Sequence, residues 1–341
     1  MLQAIIDDAK PAQLEVELSS RLSPRIRDEI QSPVPEAEKK EVSASMKMKI
    51  AAMLKLQEQP EIVHLVEDEA PKSAPLFLIH DGSGICVQYH RLRPFNRTVY
   101  AIHDPKFLDP DSWSGIPAMA QSYAQLIART TSGPYILGGW SFGGVVAFEA
   151  ARVLMAGGYA VAGVVLIDSP PPIDHKPLSA NIIDAVTKGD RNRGGLVGET
   201  IRNLVRESFT ACAGMLGAFK PEAETSTSRP IPRTFLLRSR DGFHLNTSND
   251  SQAVENAWLQ DRSEPRTSIE GWEILTKAKV PYMDIPGDHF QVFDVANVSW
   301  VYSYISVRQG NMLIFAPCGQ IQAVSKAIAH ACSELTNSSS N

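Results

Sequence analysis

Ser141 stands in Gly139-Trp140-Ser141-Phe142-Gly143, a G-x-S-x-G pattern that can turn a serine hydroxyl into a nucleophile when it sits on a sharp strand-to-helix turn. A hydroxyl is a poor nucleophile near neutral pH, so the chemistry also needs a base and a group to orient that base. Of the eight histidines, His289 is best placed as the base: Gly287-Asp288-His289-Phe290 follows directly on the strand-like residues 280–286. His80 and His103 also end apolar runs, but both precede the serine and read as structural or substrate-lining groups. Two aspartates compete for the orienting acid. Asp168 ends the apolar run at residues 161–167, and Asp241 follows a second strand-like run at residues 234–240. Residue type and position leave both open.

The elements that must hold these groups can be read from the same stretches. Tyr135-Ile-Leu137 reads as a buried strand, and residues 145–154 continue in helix formers. A strand that reverses into a helix within about four residues strains the serine and leaves no room for neighbouring side chains, which explains the flanking glycines. The first N–H groups of the helix then face the place where an oxyanion would form. Residues 161–167 are continuously apolar and β-branched, as in a central parallel strand, and Ser169-Pro-Pro-Pro172 breaks the chain away. Strand and helix patterns alternate from residue 75 to 286, which predicts an α/β fold with a mainly parallel sheet and helices on both faces. The alternation lapses between residues 168 and 230, where helical segments at 181–187 and 198–216 flank the polar, glycine-rich Lys188-Gly-Asp-Arg-Asn-Arg-Gly-Gly195.

Five stretches together carry a resemblance. Leu76-Phe-Leu-Ile-His-Asp-Gly-Ser-Gly84, Gly138-Gly-Trp-Ser-Phe-Gly-Gly144, Val164-Val-Leu-Ile-Asp-Ser169, Gly271-Trp272-Glu273 and Gly287-Asp-His-Phe290 look like the α/β-hydrolase thioesterase domain that ends many fungal polyketide synthases and peptide synthetases. The likeness runs from about residue 74 to 298 and resumes near 324. It implies an α/β-hydrolase fold with a helical lid at about 175–220. It also implies Ser141 as nucleophile, His289 as base and Asp168, rather than Asp241, as the acid. The oxyanion hole would take one N–H from Phe142 and a second from the loop 80–84, with Gly82 the choice and Asp81 or Ser83 the alternatives. That loop lacks the spacing and the lysine of a phosphate-binding loop.

The implied reaction is serine-dependent release of an acyl chain, most simply a polyketide, from an acyl carrier protein, by hydrolysis or cyclisation. A free-standing carboxylesterase, an editing thioesterase and a non-catalytic binding protein of the same fold are the alternatives. No cofactor of its own and no metal are expected: the acyl group would arrive on the phosphopantetheine of a separate carrier protein or polyketide synthase. Residues 1–73 are rich in Glu, Lys, Ser, Gln and Pro and contain no Asp-Ser-Leu attachment motif, so they read as a linker-like or loosely packed extension ahead of a domain at 74–341. Residues 299–322 have no counterpart in the resembled family. They read as an added hairpin or as translated intron sequence, whose removal would join Val298 to Ala323.

Composition fits a cytoplasmic enzyme, and the resemblance implies one of secondary metabolism. At 43% hydrophobic residues the chain can fill a core, and its net charge of −5 gives no reason to expect nucleic-acid binding. No apolar run reaches the roughly 18 residues of a membrane span, and the N-terminal stretch lacks a signal peptide's basic region. The four cysteines show neither zinc-site nor disulfide spacing.

Overall fold

The computed structural model describes residues 46–337, except for 47, 53, 55, 57–58, 67–72, 110–112, 189–194, 222–228, 245–256 and 294–318. Seven strands form one sheet in the order β1-β3-β2-β4-β5-β6-β7. They are β1 (Glu61–His64), β2 (Leu76–Ile79), β3 (Val99–Ile102), β4 (Tyr135–Trp140), β5 (Val161–Ile167), β6 (Thr234–Ser239) and β7 (Tyr282–Ile285). All neighbours run parallel except β1, which lies antiparallel on β3 at the sheet edge. The helices are α1 (Ile116–Thr130), α2 (Phe142–Ala156), α3 (Ala180–Thr187), α4 (Gly195–Ala218), α5 (Ala257–Gln260), α6 (Arg266–Thr276) and α7 (Gly319–Asn337).

Successive strand residues point to opposite faces, so each continuous apolar strand feeds two cores. Phe77, Ile79, Leu137, Val164 and Leu166 pack under α1, α2 and α6. Leu76, Leu78, Ile136, Val165 and Ile167 face the other way, against Tyr89 and the α7 residues Val324, Ile328 and Leu335. In register, Ile79 lies beside both Ile102 and Gly139, Trp140 beside Ile167, and Ser239 beside Ile285. The strands therefore end at one level, and the residues that follow them share one edge of the sheet. This is where an open α/β sheet gathers its ligands.

Between β5 and β6 the chain leaves the sheet as α3 and α4, the two helical segments expected from the sequence. Helix α4 is rooted by Cys212 and Leu216 in the core beneath α2. Its middle, Ile201, Leu204 and Val205, packs with Ile85, Val87, Phe107 and two residues from the N-terminal segment, Ile50 and Leu54. Ile50 and Leu54 are fully buried, and β1 extends the sheet, so the described part of the segment expected to be loosely packed is built into the domain. This packing lies on the N-terminal side of the boundary drawn at residue 74; residues 1–45 lie outside the described residues. The physical reason is that Ile50 and Leu54 bury their side chains only by docking on α4 and its neighbours, and β1 joins by backbone pairing on β3, neither of which the polar composition reveals. Of the segment 299–322, residues 299–318 lie outside the described residues and 319–322 form the first turn of α7.

Candidate active site

Strand β4 delivers Ser141 to the shared edge, and the turn into α2 holds it at φ 55, ψ −123, a conformation that costs an L-residue strain. The glycines around it are required by contact. A Cβ on Gly139 would lie 2.3 Å from the Gly143 carbonyl carbon, one on Gly143 2.3 Å from the His80 carbonyl oxygen, and one on Gly144 1.9 Å from Ser169 Oγ. Strand, helix and the loop after β2 thus meet backbone to backbone at the serine, as the sharp turn demanded.

Asp168 follows β5 directly and also has positive φ, 45°. His289 follows β7 on a loop whose Asp288 carboxylate accepts the N–H groups of Phe290 and Gln291. The three side chains meet. His289 Nδ1 donates to Asp168 Oδ2 at 2.7 Å, and the Ser141 hydroxyl lies 2.9 Å from His289 Nε2, placed to donate to it. His289 and Asp168 are buried, whereas Ser141 is partly open to solvent. Rings enclose the imidazole: Trp258 and Phe290 stand edge-on at 5.0 and 4.9 Å, and Trp140 Nε1 donates to the His289 carbonyl at 3.1 Å. Trp272 Nε1 donates to the Ser169 carbonyl at 2.9 Å and so fixes the chain just beyond Asp168.

The Asp168 carboxylate is fully engaged. Besides His289 it accepts the Ser239 N–H at 2.8 Å and both terminal nitrogens of Arg262, at 3.0 and 2.9 Å. Burial pushes its pKa up, but the His289 hydrogen bond, the Arg262 charge and the Ser239 N–H outweigh burial and hold it below the usual carboxylate range. Asp241, the rival, is elsewhere engaged: its N–H donates to the Gly287 carbonyl and its Oδ2 accepts the Gly287 N–H, both at 3.1 Å. It braces the loop that carries His289.

Phe142 opens α2, so its N–H belongs to the unpaired first turn beside Ser141. The loop 80–84 comes alongside from β2. Of its amides, that of Ser83 is taken by Asp81 Oδ1 at 3.2 Å and that of Gly84 by the Asp81 carbonyl at 3.2 Å. The Gly82 carbonyl accepts from Ser208 Oγ of α4 at 3.1 Å, and a Cβ on Gly82 would lie 2.8 Å from the Phe209 ring. Asp81 is buried under this loop, with its pKa raised by burial to about 6 against the hydrogen bonds from Ser83 and Gln88.

His80 and His103 do not reach the serine. His80 Nδ1 donates to the Asp81 carbonyl at 2.6 Å, and its Nε2 accepts from the Tyr123 hydroxyl at 2.8 Å. His103 stands with Cys86 and Glu61, a set of donor atoms within 4.8 Å of one another. Its Nδ1 accepts the Cys86 N–H at 3.3 Å, so its Nε2 carries the proton that faces Glu61 Oε2, also at 3.3 Å. That tautomer makes the group a hydrogen-bonded cluster and leaves Nε2 no lone pair for a metal ion.

A serine, an imidazole and a carboxylate linked in this order at a strand-to-helix turn can carry acyl transfer, and the wider likeness names the class. The model of the thioesterase domain family matches residues 74–306, more than half of the chain. The chain belongs to the thioesterase-domain family. Among curated relatives, this thioesterase domain is 46% identical over 284 residues to an orsellinic acid synthase of Beauveria bassiana, a match that covers 74% of the chain and 13% of the synthase. It is 35% identical over 242 residues to thioesterase frbD of a Dothideomycetidae species, covering 68% of the chain and 87% of the relative. In fold it is similar to the NocB thioesterase domain solved as a covalent complex with a fluorophosphonate nocardicin G analogue, with TM-score 0.51, 20% identity, and coverage of 76% of this chain and 95% of that one. The domain is therefore of the fungal polyketide and peptide synthase type, and it spans about an eighth or less of the length of the synthases it matches. Among the described residues no helix is long and apolar enough to cross a membrane.

Arg262, Trp258, Ser208 and Phe209 are the site neighbours that sequence reasoning missed. Arg262 lies in the polar stretch Asp261-Arg262-Ser263, where burial leaves no trace, and Ser208 and Phe209 are two positions in a long helix.

Proposed function

We propose that this domain releases a finished acyl chain from a carrier protein through a covalent Ser141 intermediate. The hydrogen-bonded sequence Ser141–His289–Asp168, in a chain of the thioesterase family, carries the reading. Ser141 Oγ attacks the thioester carbonyl as its proton passes to His289 Nε2, while Asp168 keeps Nδ1 protonated and supports the imidazolium. The oxyanion forms against the amides of Phe142 and Gly82. Collapse expels the phosphopantetheine thiolate of the carrier, which takes the proton from His289. Water then attacks the acyl-serine with His289 again as base, and the product leaves as a free acid.

The substrate reading is supported by the relative of 46% identity, an orsellinic acid synthase, named for a carboxylic acid. A product that leaves as an acid points to hydrolysis in the last step rather than ring closure onto Ser141, with an orsellinoyl-type aromatic acyl group as the cargo. Helices α3 and α4 serve as the lid: the Ser208 and Phe209 contacts set α4 against the oxyanion loop, and closing it would exclude stray water. A free-standing role in the same pathway is the second reading, favoured by the match to most of frbD.

The test is mass spectrometry of products from carrier protein loaded with an orsellinoyl thioester, with and without the domain. Free orsellinic acid formed by the wild type and not by Ser141→Ala is the expected result. An unchanged loaded carrier in both would reject the substrate, while hydrolysis by Ser141→Ala at the wild-type rate would reject the mechanism. Faster turnover of a small-thiol ester than of the carrier-bound one would favour the second reading.

A further inference from the structure

The orienting acid is a charge that is already paired. Arg262 lies between α5 and α6, 94 residues beyond Asp168 in the chain, and its side chain is only 4% exposed. Both terminal nitrogens grip the carboxylate, one per oxygen, in the planar fork that suits guanidinium to carboxylate. Arg262 is itself held. Its carbonyl accepts from Arg238 of β6, Arg238 pairs with Asp284 of β7 at 2.8 Å, and its guanidinium carbon lies 5.7 Å from the centre of the Trp258 ring that stands over His289. Asp168 thus accepts four hydrogen bonds from three partners, and only one of these, His289, moves a proton.

We infer, resting on the acyl-transfer reading above, that Arg262 is a positioning residue: it fixes the Asp168 carboxylate in the orientation that His289 requires and balances its charge in the resting enzyme. Two consequences follow, and they separate. The fork is a matter of geometry. Without it the carboxylate, on a backbone at positive φ, can rotate about its side-chain bonds away from Nδ1, and a misplacement of about 1 Å in a catalytic group can cost about a hundredfold in rate. The charge is a matter of titration. A fixed cation behind Asp168 offsets the carboxylate, so its removal leaves that buried negative charge unopposed in the relay and moves the acid limb of activity to higher pH.

Among the described residues the other groups facing His289 are Ser141 in front, Asp288 on its own loop, and His175 across Trp258, where burial and then the His289 charge lower the His175 pKa to about 4. None of them contacts Arg262 among the hydrogen bonds of the described residues.

The experiment is the rate at which a fluorophosphonate probe labels Ser141, measured against pH, with kcat and KM on a thioester alongside. Arg262→Lys keeps the charge and loses the fork. It should fold, label about tenfold more slowly, and keep its acid limb where the wild type has it. Arg262→Met loses both, and it should label about a hundredfold more slowly with the acid limb about one pH unit higher and KM unchanged. If the methionine variant does not fold, the lysine variant alone decides, since wild-type labelling by it overturns the positioning role. Acid limbs that superimpose in wild type and a folded methionine variant, or a loss confined to KM, also overturn the inference. A wild type that the probe does not label would sink the acyl-enzyme reading itself, a different failure from labelled variants that ignore Arg262.

Discussion

The edge of the sheet has two halves of opposite electrical character. On one half, at the ends of β4, β5 and β7, the groups are charged or ready to be: Asp168 is held below the ordinary carboxylate range beside Arg262 and His289. On the other half, at the ends of β2 and β3, burial drives groups toward neutrality. His80 is lowered, His103 falls to about 3, and Asp81 rises to about 6. The proposed chemistry accounts for the contrast. A proton relay needs a fixed negative charge, whereas an oxyanion hole works through backbone dipoles, and burial restrains the nearby Asp81 from ionising until the pH passes about 6.

The largest effect should come from the charged half. Ser141→Ala and His289→Ala should each abolish turnover, by about 10⁶ in kcat, and the double variant should be little worse, because such residues act as a unit. Additive losses in the double variant, read from single-turnover rates, would break the relay apart and with it the contrast. Next in size is the acid. Asp168→Asn should lower kcat by about 10⁴, since the amide can no longer impose the tautomer that points Nε2 at the serine. Asp241→Asn should cost far less, because Asp241 braces Gly287 and touches neither His289 nor Ser141 through any hydrogen bond among the described residues. The reverse ranking would relocate the acid to β6.

The neutral half gives the third test. Gly82 is not in the left-handed region, so alanine there meets one obstacle, the Phe209 ring 2.8 Å from where its Cβ would stand. Gly82→Ala should therefore lower kcat by about a hundredfold by displacing the loop or α4. Adding Phe209→Ala makes room, and the double variant should recover at least tenfold over the single one. No recovery would mean that the glycine serves something other than this contact.

How legible each half was follows from the range of its interactions. The elbow could be read because its constraint is local: a turn that brings Gly139 against Gly143 within four residues must be written in those residues. The parallel sheet could be read because β5 and its neighbours are apolar on both faces. Asp168 and Asp241 could not be separated by residue type, since both end strands, and what distinguishes them is which strand lies beside β4. Arg262 and Ser208 left no sign at all. An arginine in a polar loop and a serine in a helix look solvated until the fold buries them 94 and 126 residues away from their partners. The docking of Ile50, Leu54 and β1 was hidden in the same way, by a polar composition in which a few apolar positions do the packing.

The smallest effect sharpens the neutral half directly. Asp81 has a folded-state pKa of about 6 against an ordinary 3.8, so the folded protein binds its proton more readily than the unfolded chain does. By linkage, this group makes the wild type more stable as pH falls from about 6 toward 3.8, and above 6 its buried charge opposes folding. Asp81→Asn keeps an oxygen to accept from Ser83 but cannot ionise. It should therefore be more stable than wild type by about 1–3 kcal/mol at pH 8, with the gap closing near pH 4. Urea unfolding of both proteins across that range reads the difference. A gap that stays constant with pH would show that the asparagine acts through packing and that Asp81 does not titrate in this window, which would leave the neutral half of the edge resting on its histidines alone.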